Sequence, residues 1–303
     1  MMNWEGIELL GRAPETCPSR KVPCAKLRTR LAPLTANGWP VRERTERRVQ
    51  AATGNGGAEV FRILVASNRN LRERAYALAH RVYRKAGYLP EHGNGLLVWP
   101  YDAHPETFTL LAQNQAGRDV GTISLVFDSP LGLPCDEIYG PEVKALRARG
   151  RRLAEVTRLA LDEHLLPSKA LLVWLMNLVF VFGVRVRRYN EAVLEVNPRH
   201  VNYYRRLLLF EPVGPERSCP RVNGAPAVLL RLDAETYDRE IRRFAGLGTA
   251  AGQSTLYPYF YPLEDESKAA EFLAQQHHPM SVEERCYFQL QSNQAISPVP
   301  QGA

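Results

Sequence analysis

"RRLAEVTRLALDEH", Arg151–His164, has the apolar density of a strand buried on both faces, with two charges in its middle. Leu153, Leu159 and Leu161 are apolar at odd positions, and Ala154, Val156 and Ala160 at even ones. A strand alternates faces at every residue, so both parities are apolar only when neighbouring layers cover both sides. Glu155 and Arg158 break the pattern. An unpaired buried charge is costly, so the two are either mutually satisfied or aimed at something. Residues three apart on a regular strand point to opposite faces and should not meet. A β-bulge between them would shift the parity and splay this strand from the next.

The flanking sequence supplies the rest of an α/β domain. Phe61–Ser67 reads as a strand, and Asn68–Gly87 as an amphipathic helix carrying Leu71, Ala75, Leu78 and Val82 on one face. An irregular stretch runs to Pro105, and Phe108–Asp128 reads as two strands around an Ala-Gly-Arg-Asp turn. Pro141–Gly150 is a short basic helix, opened by proline and closed by glycine. Ala170–Val184 is apolar all round except for Asn177. It falls short of the roughly 20 residues of a membrane span and is expected as a helix buried in the domain. Strand Glu191–Asn197, helix Pro198–Phe210 and strand Ala225–Asp233 complete the series. The order predicts a mixed, twisted α/β (α+β) sheet of about six or seven strands with flanking helices. Residues 1–58 read as a basic tail and linker, 59–237 as the domain, and 238–303 as a helical carboxy-terminal extension and tail.

Composition narrows the function classes. The chain has 303 residues and a net charge of +7, which suits an acidic partner. Its five cysteines are scattered, without CxxC spacing, which argues against both zinc and a disulfide framework. The pair His277–His278 and the distant His200 lack metal-ligand spacing, so no metal is expected. "TGNGG" at 53–57 lacks a preceding strand and a following Lys-Ser/Thr, so it is a linker, not a phosphate loop. No basic segment followed by an apolar run opens the chain, and a cytoplasmic location is expected, with peripheral membrane contact open.

The element order resembles the GNAT-type acyltransferase superfamily, and three segments narrow the likeness. Arg151–Asp162, with its Glu-x-x-Arg, resembles the fourth strand of acyl-homoserine-lactone (autoinducer) synthases. Arg81–Leu89 followed by Tyr101–Ala112 resembles their amino-terminal signature. Asn197–Gly214 resembles the superfamily's late strand end, tyrosine-bearing helix and turn. The related N-acyl amino acid synthases also share the segment around Ala225–Asp233 and the aromatic stretch after Leu256. Two departures disfavour lactone synthesis: Trp99 and Val126 stand where autoinducer synthases carry an Asp and an Arg in the region used for S-adenosylmethionine.

The resemblance implies transfer of a long-chain acyl group from an acyl-phosphopantetheine thioester to the amine of an amino acid, with no other cofactor. Such an attack needs a deprotonated amine, a polarised carbonyl and an acid for the leaving thiolate. It assigns Glu155 as the base and Tyr204 as the acid, with Tyr203 a competitor because Leu209 replaces a usual glycine. Arg81, Asp102, Val156, Thr157 and Arg158 would contact substrate; the alternative for Arg158 is a structural pair with Arg81 and Asp102 as counter-ions. The junction Asp162–Ala170 has two acids and no glycine, whereas coenzyme A users cradle the pyrophosphate in a Gly-rich loop. This favours acyl carrier protein, with Arg147, Arg149 and Arg187 in the basic clusters that would meet it. A coenzyme A-dependent acetyltransferase and a non-catalytic binding module, for nucleic acid through the basic tail, are the alternatives.

Overall fold

The computed structural model describes residues 47–52, 58–90, 93–162 and 169–290. Most of the basic tail, the 53–57 linker, most of the Asp162–Ala170 junction and the closing tail lie outside these residues. Among the described residues nine strands form the sheet, in the order β1-β2-β3-β4-β5-β6-β9-β7, with β8 also on β9. They are β1 (Arg47–Ala52), β2 (Ala58–Val65), β3 (Phe108–Gln113), β4 (Asp119–Phe127), β5 (Leu153–Leu161), β6 (Glu191–Val196), β7 (Glu211–Pro212), β8 (Arg217–Cys219) and β9 (Ala225–Asp233). The count exceeds the expected six or seven because β7 and β8 are very short and β1 falls in a segment read as tail. β1 pairs antiparallel with β2 along its whole length. All pairings are antiparallel except β5 with β6.

Helices cover both faces, as the doubly apolar Arg151–Asp162 stretch requires. On one face lies α1 (Arg69–Lys85), whose Asn68 side chain caps the Leu71 N–H at 3.0 Å and whose Ala75 and Leu78 pack on Leu111. The same face carries α2 (Asp136–Ala148), which starts one turn before Pro141 and bends at Tyr139 (φ −120°, ψ 28°). A proline clashes with the preceding turn, so the helix breaks its geometry just ahead of it. The Tyr139 hydroxyl holds the bend by donating to Ala227 O at 2.6 Å.

The opposite face holds α3 (Lys169–Phe180), which ends in a π-turn, Val181–Val186. Leu171 to Phe182 are buried throughout, as the apolar run requires. No helix among the described residues is long and apolar enough to cross a membrane. Asn177, the polar residue within that run, accepts from the Tyr261 N–H at 3.0 Å. This ties α3 to the carboxy-terminal segment, which adds α5 (Ala234–Phe244), α6 (Leu263–Gln276) and α7 (Val282–Tyr287) after the short α4 (Val201–Leu208). Leu256, Tyr257, Phe260, Ala269 and Leu273 belong to the same core as α3. Buried Glu266 accepts from the Tyr237 hydroxyl and from Arg185 Nε (2.8 Å), and Arg185 also pairs with Asp238 (2.5 Å).

Candidate active site

Arg158 is the extra residue of a bulge in β5. Across from β4, Ser124 faces Thr157 and Thr122 faces Ala160, so Arg158 and Leu159 together oppose Ile123. Arg158 adopts φ +50°, the left-handed conformation that costs an L-residue roughly 1–2 kcal/mol. The parity shift follows. Val156 and Leu159 both pack in the α3-side core, while Ala160 joins the cluster on the α1 side. Glu155 and Arg158, three residues apart, thereby share one face.

They do not pair with each other. The Arg158 guanidinium forms a two-pronged pair with Asp102, Nη1 to Oδ2 at 2.6 Å and Nη2 to Oδ1, and donates to Leu97 O at 3.2 Å. Both side chains are out of solvent, and the rings of Tyr76 and Trp99 lie 5.1 Å from the guanidinium. Asp102 also caps its own 3-10 turn by accepting the Trp99 N–H at 2.8 Å. Arg158 thus fastens the Leu97–Asp102 segment to the bulge. Arg81 is not a counter-ion there: it pairs with Asp162 at the end of β5, 3.0 Å away.

Beyond Glu155 the sheet parts. The parallel register between β5 and β6 covers three residue pairs: Leu153 with Glu191, Ala154 with Ala192, and Glu155 with Val193. Farther on, β5 stays with β4 while Leu194, Glu195 and Val196 stay with β9. The two strands form a V with Glu155 at its apex, Val156 and Thr157 on one arm and Glu195 on the other. Glu195 is two residues past Val193, the partner of Glu155, so it faces the same side.

The apex is acidic and dry. Glu155 is 1% exposed and accepts the Cys135 N–H at 2.8 Å. Burial first, and the Glu195 carboxylate second, push its pKa up to about 8, against the opposing pull of Arg221. Arg221, in the 3-10 turn Pro220–Val222, reaches Glu137 with Nε at 2.6 Å and Glu195 with Nη2 at 2.5 Å. Burial and the nearby Glu155 raise Tyr101 to about 12, and burial raises the Cys135 thiol well above its usual range, so Cys135 is no ready nucleophile. Glu195 and Arg221 were not singled out in the sequence. Glu195 reads there as an ordinary polar position of an alternating strand, and Arg221 lies in a turn.

Tyr204 sits on the other side of the sheet. It is fully buried in the α3-side core with Val196 and meets Phe210 edge-on at 6.1 Å. Leu209 takes φ +63° at the end of α4, which explains why a glycine is usual there. Arg147, Arg149 and Arg187 do not reach the open end of the V. They flank the starts of β5 and β6, where the strands are paired and Arg152 N–H donates to Asn190 Oδ1 at 2.8 Å. Arg147 is clamped by Asp128 and Asp136, each at 2.7 Å, and Arg187 pairs with Glu106; Arg149 stays exposed. A cleft of about 530 Å³ between α4 and α5, lined by Arg205, Arg206, Arg231 and Arg239, lies on a different part of the molecule from Glu155. His277 is a packing residue, with Nε2 3.1 Å from Thr107 O. Among the described residues no group of three or more His, Cys, Asp or Glu could hold a metal ion.

A mixed sheet parted between two parallel strands, with a buried acid at the fork, is the arrangement expected of an acyltransferase, and the family comparison agrees. The model of the family "N-acyl amino acid synthase FeeM" matches residues 74–233, more than half of the chain, and the chain belongs to that family. The solved structure of FeeM, an N-acyl amino acid synthase from uncultured soil microbes, is 26% identical, with a TM-score of 0.51 over 64% of this chain and 94% of that one. The acyl-homoserine-lactone synthase LasI is 16% identical (TM-score 0.43; 59% and 91% covered). A ribosomal-protein-S5-alanine acetyltransferase from Vibrio fischeri is 13% identical (TM-score 0.40; 61% and 96% covered). Comparison with curated proteins gives no match. The chain is an acyltransferase, and N-acyl transfer is its activity.

Proposed function

We propose that this N-acyltransferase takes a long-chain acyl group from the phosphopantetheine thioester of an acyl carrier protein and gives it to the amine of an amino acid. The observation that carries the reading is the V between β5 and β6 with the Glu155 carboxylate at its apex. A thioester lying between the arms would meet main chain of Val156 and Thr157 that has no β6 partner, where N–H groups can polarise the carbonyl. Glu155 takes a proton from the ammonium, the freed amine forms the C–N bond, and the C–S bond breaks. The thiolate takes a proton, and one proton is released to solvent per turnover; Tyr204, the donor assigned from the sequence, is buried on the face opposite Glu155. No further cofactor is required, since the pantetheine thioester is itself a substrate.

The glycine-free Asp162–Ala170 sequence supports a carrier protein over coenzyme A, because a single phosphate needs no pyrophosphate cradle. The family supports an amino acid acceptor. The test offers purified protein hexadecanoyl-carrier protein, hexadecanoyl-coenzyme A or acetyl-coenzyme A, with all twenty amino acids, and identifies products by mass spectrometry. N-acyl amino acids from the carrier-bound donor are expected. Turnover with acetyl-coenzyme A alone would establish a coenzyme A-dependent acetyltransferase instead.

A further inference from the structure

We propose that Glu195 binds the acceptor's ammonium group through the carboxylate oxygen that Arg221 leaves free. The proposal rests on the N-acyl-transfer reading and adds to it a second acidic residue, on the opposite arm of the V from Glu155.

Three observations converge. The register places Glu195 across the opening from Val156 and Thr157 and on the face of Glu155. Its side chain is 6% exposed; Oε2 is held by Arg221 at 2.5 Å, while Oε1 is buried without a hydrogen-bond partner. A carboxylate oxygen out of water and without a donor is a costly arrangement that a bound N–H relieves. The third is charge. Glu137, Glu155 and Glu195 surround the single guanidinium of Arg221, so the cluster holds more acid than base and would be balanced by one more cation. An ammonium supplies that cation and three N–H donors: one for Glu195 Oε1 and one proton for transfer to Glu155, which leaves the lone pair for the thioester. Arg158 cannot do this work, because it is itself cationic and already neutralised by Asp102.

The groups facing Glu155 are Cys135, the residue that opens α2, Tyr101 from the 3-10 turn, Glu195 from β6 and Arg221. Of these, Glu195 is the carboxylate whose charge raises the cost of ionising Glu155 most, and removing it makes Glu155 more acidic.

The test uses Glu195→Gln in the full chain, with hexadecanoyl-carrier protein as donor and, as acceptor, the amino acid that the wild type acylates most from an equimolar mixture of twenty. Expected is a rise in acceptor KM of about 10–100-fold from loss of a charge-assisted hydrogen bond. The donor KM should not change, and the acidic limb of kcat/KM should move to lower pH. Glu195→Asp keeps the charge against Arg221 but withdraws the oxygens by one methylene; it should raise the acceptor KM severalfold and serves if the Gln variant fails to fold. An unchanged acceptor KM in whichever variant folds overturns the proposal, as does an equal rise in donor and acceptor KM. A wild type that acylates no amine would instead sink the N-acyl-transfer reading itself.

Discussion

Replacing Asp102 with Asn should cost the protein about 3–5 kcal/mol, and the structure shows where that figure comes from. The Asp102 side chain has no exposed surface and the Arg158 side chain 1%. The isosteric amide keeps one acceptor for the guanidinium and the shape of the site, but removes the one carboxylate that pairs with Arg158 among the described residues. Breaking a buried pair from one side typically costs about 3–5 kcal/mol, because the surviving charge has no compensation. The Tyr76 and Trp99 rings would return about 1–2 kcal/mol at most, an attraction already present in the wild type and therefore no gain. For a domain of this size each kcal/mol moves Tm by about 2–4 °C, so a fall of roughly 6–20 °C is expected. Urea unfolding followed by far-UV circular dichroism measures it, with Asp102→Leu/Arg158→Met as the reference in which no charge is left unpaired. That double variant should be more stable than the single one. A loss under 1 kcal/mol in Asp102→Asn would refute the view that this pair holds the bulge in place.

Glu155→Gln should lower N-acylation by about 10²–10⁴-fold with Tm retained, since it keeps the shape of the side chain and removes the proton acceptor; near wild-type turnover in a coupled thiol-release assay would make Glu155 structural. The pH dependence has a definite sign. Because folding raises the Glu155 pKa, its contribution to stability is fully present below the unfolded value near 4.5 and is lost as pH rises through about 8. Wild-type Tm should therefore fall more than that of Glu155→Gln between pH 5 and pH 9, while kcat/KM rises through the same window as the base ionises. Parallel Tm profiles would contradict the burial of an ionisable group at 155. Reversing Arg147 to Glu should destabilise the protein through repulsion with Asp128 and Asp136, whereas reversing exposed Arg149 should leave Tm within about 1 °C by scanning calorimetry.

Much of this was legible in the sequence. The apolar density of Ala170–Val184 fixes a buried helix because nothing on it could face water, and Asn177 marks the place where a second segment docks. Glu155 and Arg158 in the middle of Arg151–Asp162 announce a parity break, since a regular strand could not tolerate both. Glu195 was invisible for the opposite reason: in "EAVLEVN" it obeys the alternation of a half-exposed strand, and only the distant Arg221 and the parted register make it part of the apex. The pairing of Arg147 with Asp128, just past the end of β4, was not legible because charge counts along a helix do not reveal which acids fold back onto it. Likewise β1 pairs with β2 through its main chain, which carries no side-chain pattern to read.

The docking of α6 on the π-turn that ends α3 has a consequence for how the chain is made. The ribosome releases α3 long before it releases Leu256–Leu273, the stretch that supplies Tyr257, Phe260, Ala269 and Leu273 to the same core and Glu266 to Arg185. During that interval the nascent chain carries an apolar helix with one flank uncovered and an arginine whose buried partner has not yet been synthesised. The family match ends at residue 233, yet a polypeptide halted there would display this flank permanently. Such a fragment should be held by chaperones or aggregate, and a pause in translation between residues 233 and 273 should lower the yield of native enzyme.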